Sequence, residues 1–384
     1  MVRILFTVCG VGLGHAPRSI EVIKGLQKNH DILIASYGDA LKYLKKHFKK
    51  SEKLAWFKLV FQEGELKRTA TVLSNLPLLP RVASMNFLKL VKTIRKFKPD
   101  IIISDFDVNS LYAAQLFNIP AIVISSLHLI EELNLRLSRK EKIIFYLTEK
   151  PVLNAFNGAD AFIIPFFFEP EFKRKKRYFF GPIVRQELIK KIKASKKTTE
   201  ENQFIVYFST GHLKKLIPLL EKINSRFIIF GAKKRFNKSN LVFKKFSEKE
   251  FINDLVESKG VLCHGGTTTI GEALAAGKPV YVCSSRKFFE RYVNGALLSH
   301  KGFGFLEERP SMNGLQEFIS NNASYKQSIA RAGIMPSNEK VLSRIEELIK
   351  QKTRLKKKPL FYYPQFNSID LKQLKNYFSR IFEV

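Results

Sequence analysis

Short apolar runs alternate with amphipathic stretches along most of the chain. In the first half, the runs RILFTV, DILIAS, DIIISD, AIVISS and AFIIP have the length and composition of buried strands, and stretches of helical periodicity separate them. Because strands that alternate with helices usually pair in parallel, this pattern predicts a doubly wound α/β domain.

The same alternation resumes in the second half. The runs FIVYFS, RFIIFG, LVFKKF, GVLCHGG and PVYVCSS are again separated by helical stretches. Between the halves lie the segment FFGPIVR and the polar stretch SKKTTEEN, which has no apolar periodicity and is typical of an interdomain connection. We therefore predict an N-terminal domain over 1–180, a linker over 181–201, a second Rossmann-like domain over 202–352, and a basic, aromatic tail with a closing helix over 353–384.

Length and composition agree with two folded α/β domains. The chain has 384 residues, of which 45% are hydrophobic and 26% charged. These values are near the averages for globular proteins, so the chain can bury substantial cores and wholesale disorder is excluded.

The net charge adds a preference for an anionic partner. Lys and Arg total 66 against 34 acidic residues, which gives a formal net charge of +32. Nucleic acid, a membrane surface and phosphorylated substrates all fit such a charge. A Lys-rich composition shared by every protein of an AT-rich genome explains it equally well, so charge alone does not choose between them.

The cysteines and apolar runs indicate a cytoplasmic protein. Cys9, Cys263 and Cys283 each end a short apolar run and lack the paired spacing of a zinc site or a disulfide framework. The N-terminal run reads as a strand rather than a signal peptide, and no run approaches the roughly 18 apolar residues of a membrane span. We predict reduced core thiols and no membrane span, with peripheral contact at the inner face of the membrane left open.

The run GVLCHGGTTTIGEALAAGKPVYV is the most informative part of the chain. An apolar strand ends in His264, Gly265 and Gly266 follow, and a helix then opens with three threonines. Unpaired N–H groups and the helix dipole attract anions at a helix start, and glycines let a phosphate approach the backbone closely. The run therefore predicts a phosphate site.

Side chains beside this helix start fit a nucleotide diphosphate. Thr267, Thr268 and Thr269 offer hydroxyl donors, and His264 offers another. Glu272 lies one turn beyond Thr268 on the same helix face, where it is suited to accept hydrogen bonds from ribose hydroxyls. The alternative is a capped helix start without a ligand.

The order of these residues resembles the donor signature of UDP-sugar glycosyltransferases of families 28 and 1, which include the peptidoglycan lipid-intermediate N-acetylglucosaminyltransferase and UDP-glucuronosyltransferase-like enzymes. In that signature HGG is followed by Ser or Thr, by Glu eight residues after the His, and by Gly-x-Pro. The matching residues are His264, Gly265, Gly266, Thr269, Glu272, Gly277 and Pro279. The resemblance implies the GT-B fold, in which two Rossmann-like domains face a central cleft and the C-terminal domain holds the nucleotide sugar.

Further segments resemble the family, with one departure. FSTGH, which contains Ser209, Thr210 and Gly211, resembles a loop that closes over the diphosphate, and the backbone near Phe246 corresponds to the uracil contact.

The departure lies where the family contacts the donor sugar. The family carries two polar residues, often Asp-Gln or Gln-Gln, shortly before an Asn. Asn294 is present here, but Glu290 and Arg291 stand four and three residues before it, where the family has its two polar residues. The resemblance therefore does not identify the sugar.

A glycine-rich loop after the first strand is a weak signal by itself. GVGLGH contains Gly12 and Gly14 and is followed by Arg18, but it does not have the spacing of a dinucleotide fingerprint. The resemblance implies that this loop binds the acceptor, with contributions from Gly12, Gly14 and Arg18, and that His15 is the base that deprotonates the acceptor hydroxyl.

The proposed base needs a partner. An imidazole suits general-base catalysis because it titrates near neutral pH, and a carboxylate on its second nitrogen would orient it. The resemblance places that carboxylate at Asp105, with Asp107 as the nearby rival. Alternatively, His15 only packs or binds an acceptor phosphate, and Asp105 only caps a strand end.

No metal or cofactor is expected besides the UDP-sugar donor substrate. The sequence DFD, 105–107, formally matches the D-x-D metal motif of a different glycosyltransferase fold. In the GT-B architecture the helix dipole, His264 and the threonines already neutralise a leaving diphosphate, so a divalent ion is not required.

The implied activity is a metal-independent, inverting transfer of a hexose or N-acetylhexosamine from a UDP-sugar to a hydroxyl acceptor. The basic, aromatic segments FKRKKRYFF and RLKKKPLFYYPQF suggest a lipid-linked or membrane acceptor, although each also fits a solvated charged face, and LPLLPRVASMNFLKLV with Arg81 suggests an acceptor-side lip. Three alternatives remain: a nucleotide-sugar 2-epimerase of the same fold, a non-catalytic nucleotide-sugar binder, and a nucleic-acid-binding protein, for which no specific motif is present.

Overall fold

The computed structural model describes residues 1–10, 14–55, 61–62, 65–66, 79–133, 137–170, 174–194, 202–208, 213–232 and 240–351. Several predicted elements lie outside these ranges. They are the loop containing Ser209, Thr210 and Gly211, the glycine Gly12, and the tail over 353–384.

The first domain contains a seven-stranded parallel sheet. Its strands, in spatial order, are β3 (Ser51–Lys53), β2 (Asp31–Ser36), β1 (Arg3–Val8), β6 (Ile101–Asp105), β7 (Ala121–Ile124), β8 (Ala161–Pro165) and β9 (Arg177–Phe180). A separate antiparallel pair joins β4 (Phe61–Gln62) to β5 (Glu65–Leu66). The predicted strands of the first half are confirmed.

The second domain contains a six-stranded parallel sheet. Its order is β12 (Leu241–Lys244), β11 (Arg226–Phe230), β10 (Gln203–Tyr207), β13 (Gly260–Cys263), β14 (Val280–Cys283) and β15 (Gly304–Glu307). In both sheets the central strands are buried on both faces, which explains why their sequences are continuous apolar runs rather than alternating ones.

Helices cover the sheet faces and make the parallel crossovers. Those of the first half are Ala16–Leu26, Gly38–Leu44, Leu79–Phe97, Val108–Leu116, the 3₁₀ helix Leu127–Glu132, Arg139–Thr148 and Lys150–Asn154. Those that follow are Gln186–Ala194, Leu213–Leu220, Glu248–Glu257, Thr267–Ala275, Phe289–His300, Met312–Ser320, Asn322–Ala332 and Asn338–Lys350. Within the described residues, no helix is long and apolar enough to cross a membrane.

The predicted linker is more ordered than its sequence suggests. It contains the helix Gln186–Ala194, which packs on the helix Glu248–Glu257 of the second domain through the fully buried Leu188. Just before it, the backbone N–H and C=O of Val184 both pair with the side chain of Asn338, at 3.1 and 2.7 Å.

The last described helix, Asn338–Lys350, packs with the first domain. Its residues Val341 and Ile345 belong to the same buried cluster as Ile20 and Ile23, and Glu346 accepts a hydrogen bond from His30 at 2.9 Å. From the sequence we predict that this helix belongs to the second domain, over 202–352. Its apolar stripe is instead buried against the helix Ala16–Leu26, so the chain returns to the first domain after completing the second.

Candidate active site

A cleft lies where the strand order reverses in both sheets. In the first sheet β1 and β6 are neighbours, and in the second β10 and β13 are neighbours. Helices leave the carboxyl ends of such strand pairs in opposite directions, which opens a crevice suited to a ligand. The loops after β1 and after β13 face each other across this crevice.

The glycine loop after β13 opens directly onto the helix Thr267–Ala275. The N-cap of this helix is Gly266. Because glycine has no side chain, the first N–H groups of the helix receive no hydrogen bond from an N-cap side chain. Gly265 has φ of +90°, and a Cβ at this position would lie 2.7 Å from the carbonyl oxygen of Arg291. Only glycine tolerates both this backbone conformation and this close approach. His264 lines the cleft beside the loop.

Two of the three threonines bridge to the first domain. The hydroxyl of Thr267 lies 3.1 Å from that of Ser126, and Thr268 donates to the carbonyl oxygen of Gly14 at 2.7 Å. Thr269 lines the cleft without such a bridge among the hydrogen bonds of the described residues. The helix start therefore helps to hold the two domains together.

Glu272 forms a buried ion pair that the sequence did not indicate. Arg185 donates to its two carboxylate oxygens, from Nε at 2.7 Å and from Nη2 at 2.6 Å, while the two side chains are 8% and 3% exposed. Burial opposes the charge of Arg185, but Glu272 outweighs it and raises the pKa of the guanidinium. Both residues also line the cleft, so one edge of the carboxylate is already held by Arg185.

Aromatic side chains form another wall of the cleft. Phe246 stacks on Tyr207 with ring centroids 5.4 Å apart, and both rings lie near Phe251. Arg185 lies over the ring of Phe251 at 5.2 Å. The predicted base-binding residue Phe246 is therefore part of the cleft, next to the ion pair of Glu272.

On the first-domain side, His15 meets Asp105. His15 Nδ1 lies 2.8 Å from Asp105 Oδ1, and the imidazole is 23% exposed, whereas the carboxylate is fully buried. Arg18 donates to both oxygens of the same carboxylate, at 2.9 and 2.5 Å, and Ser19 donates to it at 2.7 Å. Asp105 is thus the centre of a cluster that holds His15 at the cleft.

The charge state of Asp105 follows from these contacts. Burial by itself would raise the pKa of its carboxyl, but Arg18 and His15 outweigh burial and hold the pKa well below its usual range. The carboxylate is therefore ionised at neutral pH. Arg18 is buried and contacts Asp105, Ser126 and, at 2.9 Å, Nδ1 of His15, so its predicted role in binding the acceptor stays a prediction.

Asp107 has a different role from Asp105. It is the N-cap of the helix Val108–Leu116 and accepts a hydrogen bond from the backbone N–H of Ser110 at 3.1 Å. Between the two aspartates, Phe106 adopts φ of 59° and stacks on His15 at 5.6 Å. Non-glycine residues seldom adopt this conformation, and here it directs an aromatic ring against the imidazole.

The three residues predicted to contact the donor sugar separate into two groups. Glu290 and Arg291 line the cleft, and Arg291 lies over the ring of Phe288 at 5.5 Å. Asn294 does not line it. Asn294 is buried and donates to the carbonyl oxygen of Gly265 at 3.0 Å, so in this structure it shapes the glycine loop.

Among the described residues, no group of three or more His, Cys, Asp or Glu side chains is placed to hold a metal ion. Cys9, Cys263 and Cys283 are buried, reduced thiols, and burial raises the pKa of Cys263 to about 12, which keeps it in the neutral, unreactive form.

Solved structures share this architecture. The calicheamicin glycosyltransferase CalG4 superimposes with a TM-score of 0.64 at 15% identity, over 91% of this chain and 99% of that one. VinC, a glycosyltransferase solved with dTDP, has a TM-score of 0.60 at 14% identity over 92% and 100%. MurG of Acinetobacter baumannii has a TM-score of 0.58 at 14% identity over 90% and 100%. At these identities the likeness shows the fold, which is GT-B.

Sequence relatives point to the same class of enzyme. An uncharacterized glycosyltransferase of Methanosarcina acetivorans is 26% identical over 324 residues, which cover 79% of this chain and 84% of that protein. The family model for glycosyl transferase family 1 matches residues 2–322 and thus spans both domains and the cleft. The chain belongs to glycosyl transferase family 1.

Proposed function

We propose that the protein transfers a hexose or N-acetylhexosamine from a UDP-sugar to a hydroxyl acceptor, with inversion at the anomeric carbon and without a metal ion. The observation that carries the proposal is the hydrogen bond of His15 to the buried, ionised Asp105, opposite the glycine-initiated helix Thr267–Ala275. A base and a phosphate site then face each other across one cleft, as a direct displacement requires.

In this mechanism His15 acts through Nε2, the ring nitrogen that does not contact Asp105. The mechanism requires the tautomer with the proton on Nδ1, which then donates to Asp105 rather than accepting from Arg18 Nη2, 2.9 Å away. Nε2 is then the nitrogen that accepts the proton of the acceptor hydroxyl. As the imidazolium forms, the ionised carboxylate stabilises it. Arg18 and Ser19 keep Asp105 in place and ionised.

The leaving nucleotide diphosphate would be received by the second domain. The N–H groups and dipole of the helix Thr267–Ala275, with His264 and Thr269, stabilise the negative charge that develops on the diphosphate. Phe246 would contact the base, and Glu272 would accept hydrogen bonds from the ribose. Glu290 and Arg291, which also line the cleft, would then contact the donor sugar.

The relatives support transfer over the alternatives. The family and its structural neighbours are glycosyltransferases, whereas neither points to a 2-epimerase or to a nucleic-acid-binding protein. A lipid-linked acceptor stays a proposal. It rests on the strongly basic charge and on the exposed apolar surface described below.

The experiment has two parts, binding and turnover. Thermal unfolding is measured with UDP, dTDP, UDP-glucose and UDP-N-acetylglucosamine, and UDP release is then measured with water as the acceptor. We expect a selective stabilisation by UDP or a UDP-sugar. His15→Ala should retain that stabilisation but lose about 10²-fold or more in UDP release.

A matched control is His300→Ala, at an exposed position at the end of the helix Phe289–His300. It should leave binding and turnover unchanged. Absence of stabilisation by every nucleotide would refute the donor site. Nucleotide binding with full turnover in His15→Ala would refute the base assignment and leave the donor site standing.

A further inference from the structure

One helix of the first domain exposes an apolar stripe to solvent. In the helix Arg139–Thr148, the side chains of Ile143, Tyr146 and Leu147 are 53%, 63% and 73% exposed. Their spacing of three and four residues puts them on one helix face. Val152, in the helix that follows, is also exposed. Such clustering is unusual on a protein surface, where exposed apolar residues normally occur singly.

The opposite face of the same helix is packed and fixed. Ile144 and Phe145 pack on the cluster formed by Leu127, Ile130, Leu153, Phe289 and Val293. The ring of Phe145 lies 5.5 Å from that of Phe289. The N-terminus is secured by a capping box between Ser138 and Glu141. The packed face and the capping box therefore hold the helix in place without a contribution from the exposed stripe.

Cations flank the stripe. Arg139, Lys140 and Lys142 are all exposed, and on a helical projection they lie at the end and along the two sides of the apolar face. Glu141, the acidic residue among them, is turned away to the capping box and to Arg286, whose Nη1 lies 3.2 Å from it. An apolar stripe bordered by Lys and Arg is complementary to an anionic lipid surface, where the apolar side chains enter the headgroup boundary and the cations contact lipid phosphates.

We propose that the helix Arg139–Thr148 docks the protein on an anionic membrane. Phe289, which packs under this helix, directly precedes Glu290 of the cleft. Docking through this face therefore holds the Glu290 side of the cleft one helix diameter, ~10 Å, from the membrane surface, where a membrane-embedded acceptor would present its hydroxyl. This consequence rests on the proposed function, but the docking itself does not.

The test is co-sedimentation of the full chain with vesicles of phosphatidylcholine alone and of phosphatidylcholine mixed with phosphatidylglycerol. We expect binding only to the mixed vesicles, weakened by salt. Leu147→Glu should lower the partition coefficient about tenfold or more, because it places a charge in the apolar stripe. Lys140→Gln/Lys142→Gln should lower it about fivefold for each lysine removed.

Matched controls separate this surface from the general basic charge. Met335→Glu changes an apolar side chain that is 70% exposed and lies outside this helix. Lys42→Gln/Lys45→Gln removes two exposed lysines, one from the helix Gly38–Leu44 and one at its C-cap. Both should bind vesicles like the parent protein. Loss of binding in the controls, or normal binding of Leu147→Glu, would overturn the proposal, as would a dimer in solution that Leu147→Glu dissociates.

The outcome is separable from that of the proposed function. UDP release with water as the acceptor needs no membrane, so Leu147→Glu should retain it in full. Vesicle binding without any nucleotide-dependent stabilisation would support docking and refute the donor site. The converse result would support the donor site and refute docking.

Discussion

Replacing Arg185 should destabilise the protein far more than replacing both partners of its ion pair. Arg185→Met removes a guanidinium that donates at 2.7 and 2.6 Å to the two oxygens of Glu272. The remaining carboxylate is 3% exposed, so water replaces the lost donors poorly. Glu272 must then stay ionised with only the backbone N–H of residue 185, at 3.5 Å, in place of the guanidinium, or take up a proton.

The cost follows from the geometry. Breaking a buried, hydrogen-bonded ion pair from one side costs about 3–5 kcal/mol, because an uncompensated charge is left behind. Replacing both residues by apolar side chains of similar volume removes the two charges together and is often neutral. We therefore expect a loss of about 3–5 kcal/mol for Arg185→Met and a much smaller loss for Arg185→Met/Glu272→Met.

Urea unfolding of the two single variants, the double variant and the parent completes a double-mutant cycle. The coupling free energy should be a large part of the single-variant cost. Because both residues line the cleft, the double variant should also lose stabilisation by UDP while remaining folded. A loss in the double variant equal to the sum of the two single-variant losses would show that the pair is not coupled and would refute this reasoning.

Three further predictions concern the cleft. First, since the folded pKa of Asp105 lies below its usual value, the stability that its charge provides is fully present above the unfolded pKa of about 3.9 and is lost as the pH falls below it. Asp105→Asn should therefore be less stable at neutral pH, and its stability should fall less steeply in acid, as measured by urea unfolding at a series of pH values. Second, Gly265→Ala would put a Cβ 2.7 Å from a carbonyl oxygen at a residue with φ of +90°. It should lower the free energy of unfolding by about 1–3 kcal/mol and abolish stabilisation by UDP. An alanine variant that binds UDP normally would contradict the close fit. Third, Thr268→Val keeps the side-chain shape but removes the donor to Gly14, so it should cost about 0.5–1.5 kcal/mol, and a neutral result in thermal unfolding would show that this bridge does not stabilise the closed cleft.

Local sequence patterns were enough to predict most of the fold and part of the candidate site. Strands such as Ile101–Asp105 are continuous apolar runs, and the glycines before Thr267 mark a helix start, so both are visible in a short window of sequence. The pairing of His15 with Asp105 was reached only through the family resemblance, since ninety residues separate them.

The remaining features depend on contacts between distant segments. Arg185 and Glu272 are 87 residues apart, and neither position carries a periodicity that links them. Asn294 fits a sugar-binding signature by its place in the sequence, yet the register of its helix turns it toward Gly265. The amphipathic pattern of Asn338–Lys350 predicted a helix but could not show which domain its apolar face would cover.

The return of the helix Asn338–Lys350 to the first domain affects how the protein folds during synthesis. Val341, Ile345 and Leu348 fill a cluster whose other members lie mainly in the first third of the chain. The ribosome must therefore complete the second domain before the first can bury the part of its apolar surface that this helix covers. Contacts of such long sequence separation slow folding and leave apolar surface exposed to chaperones in the meantime. The first domain is early in the sequence but late to be finished.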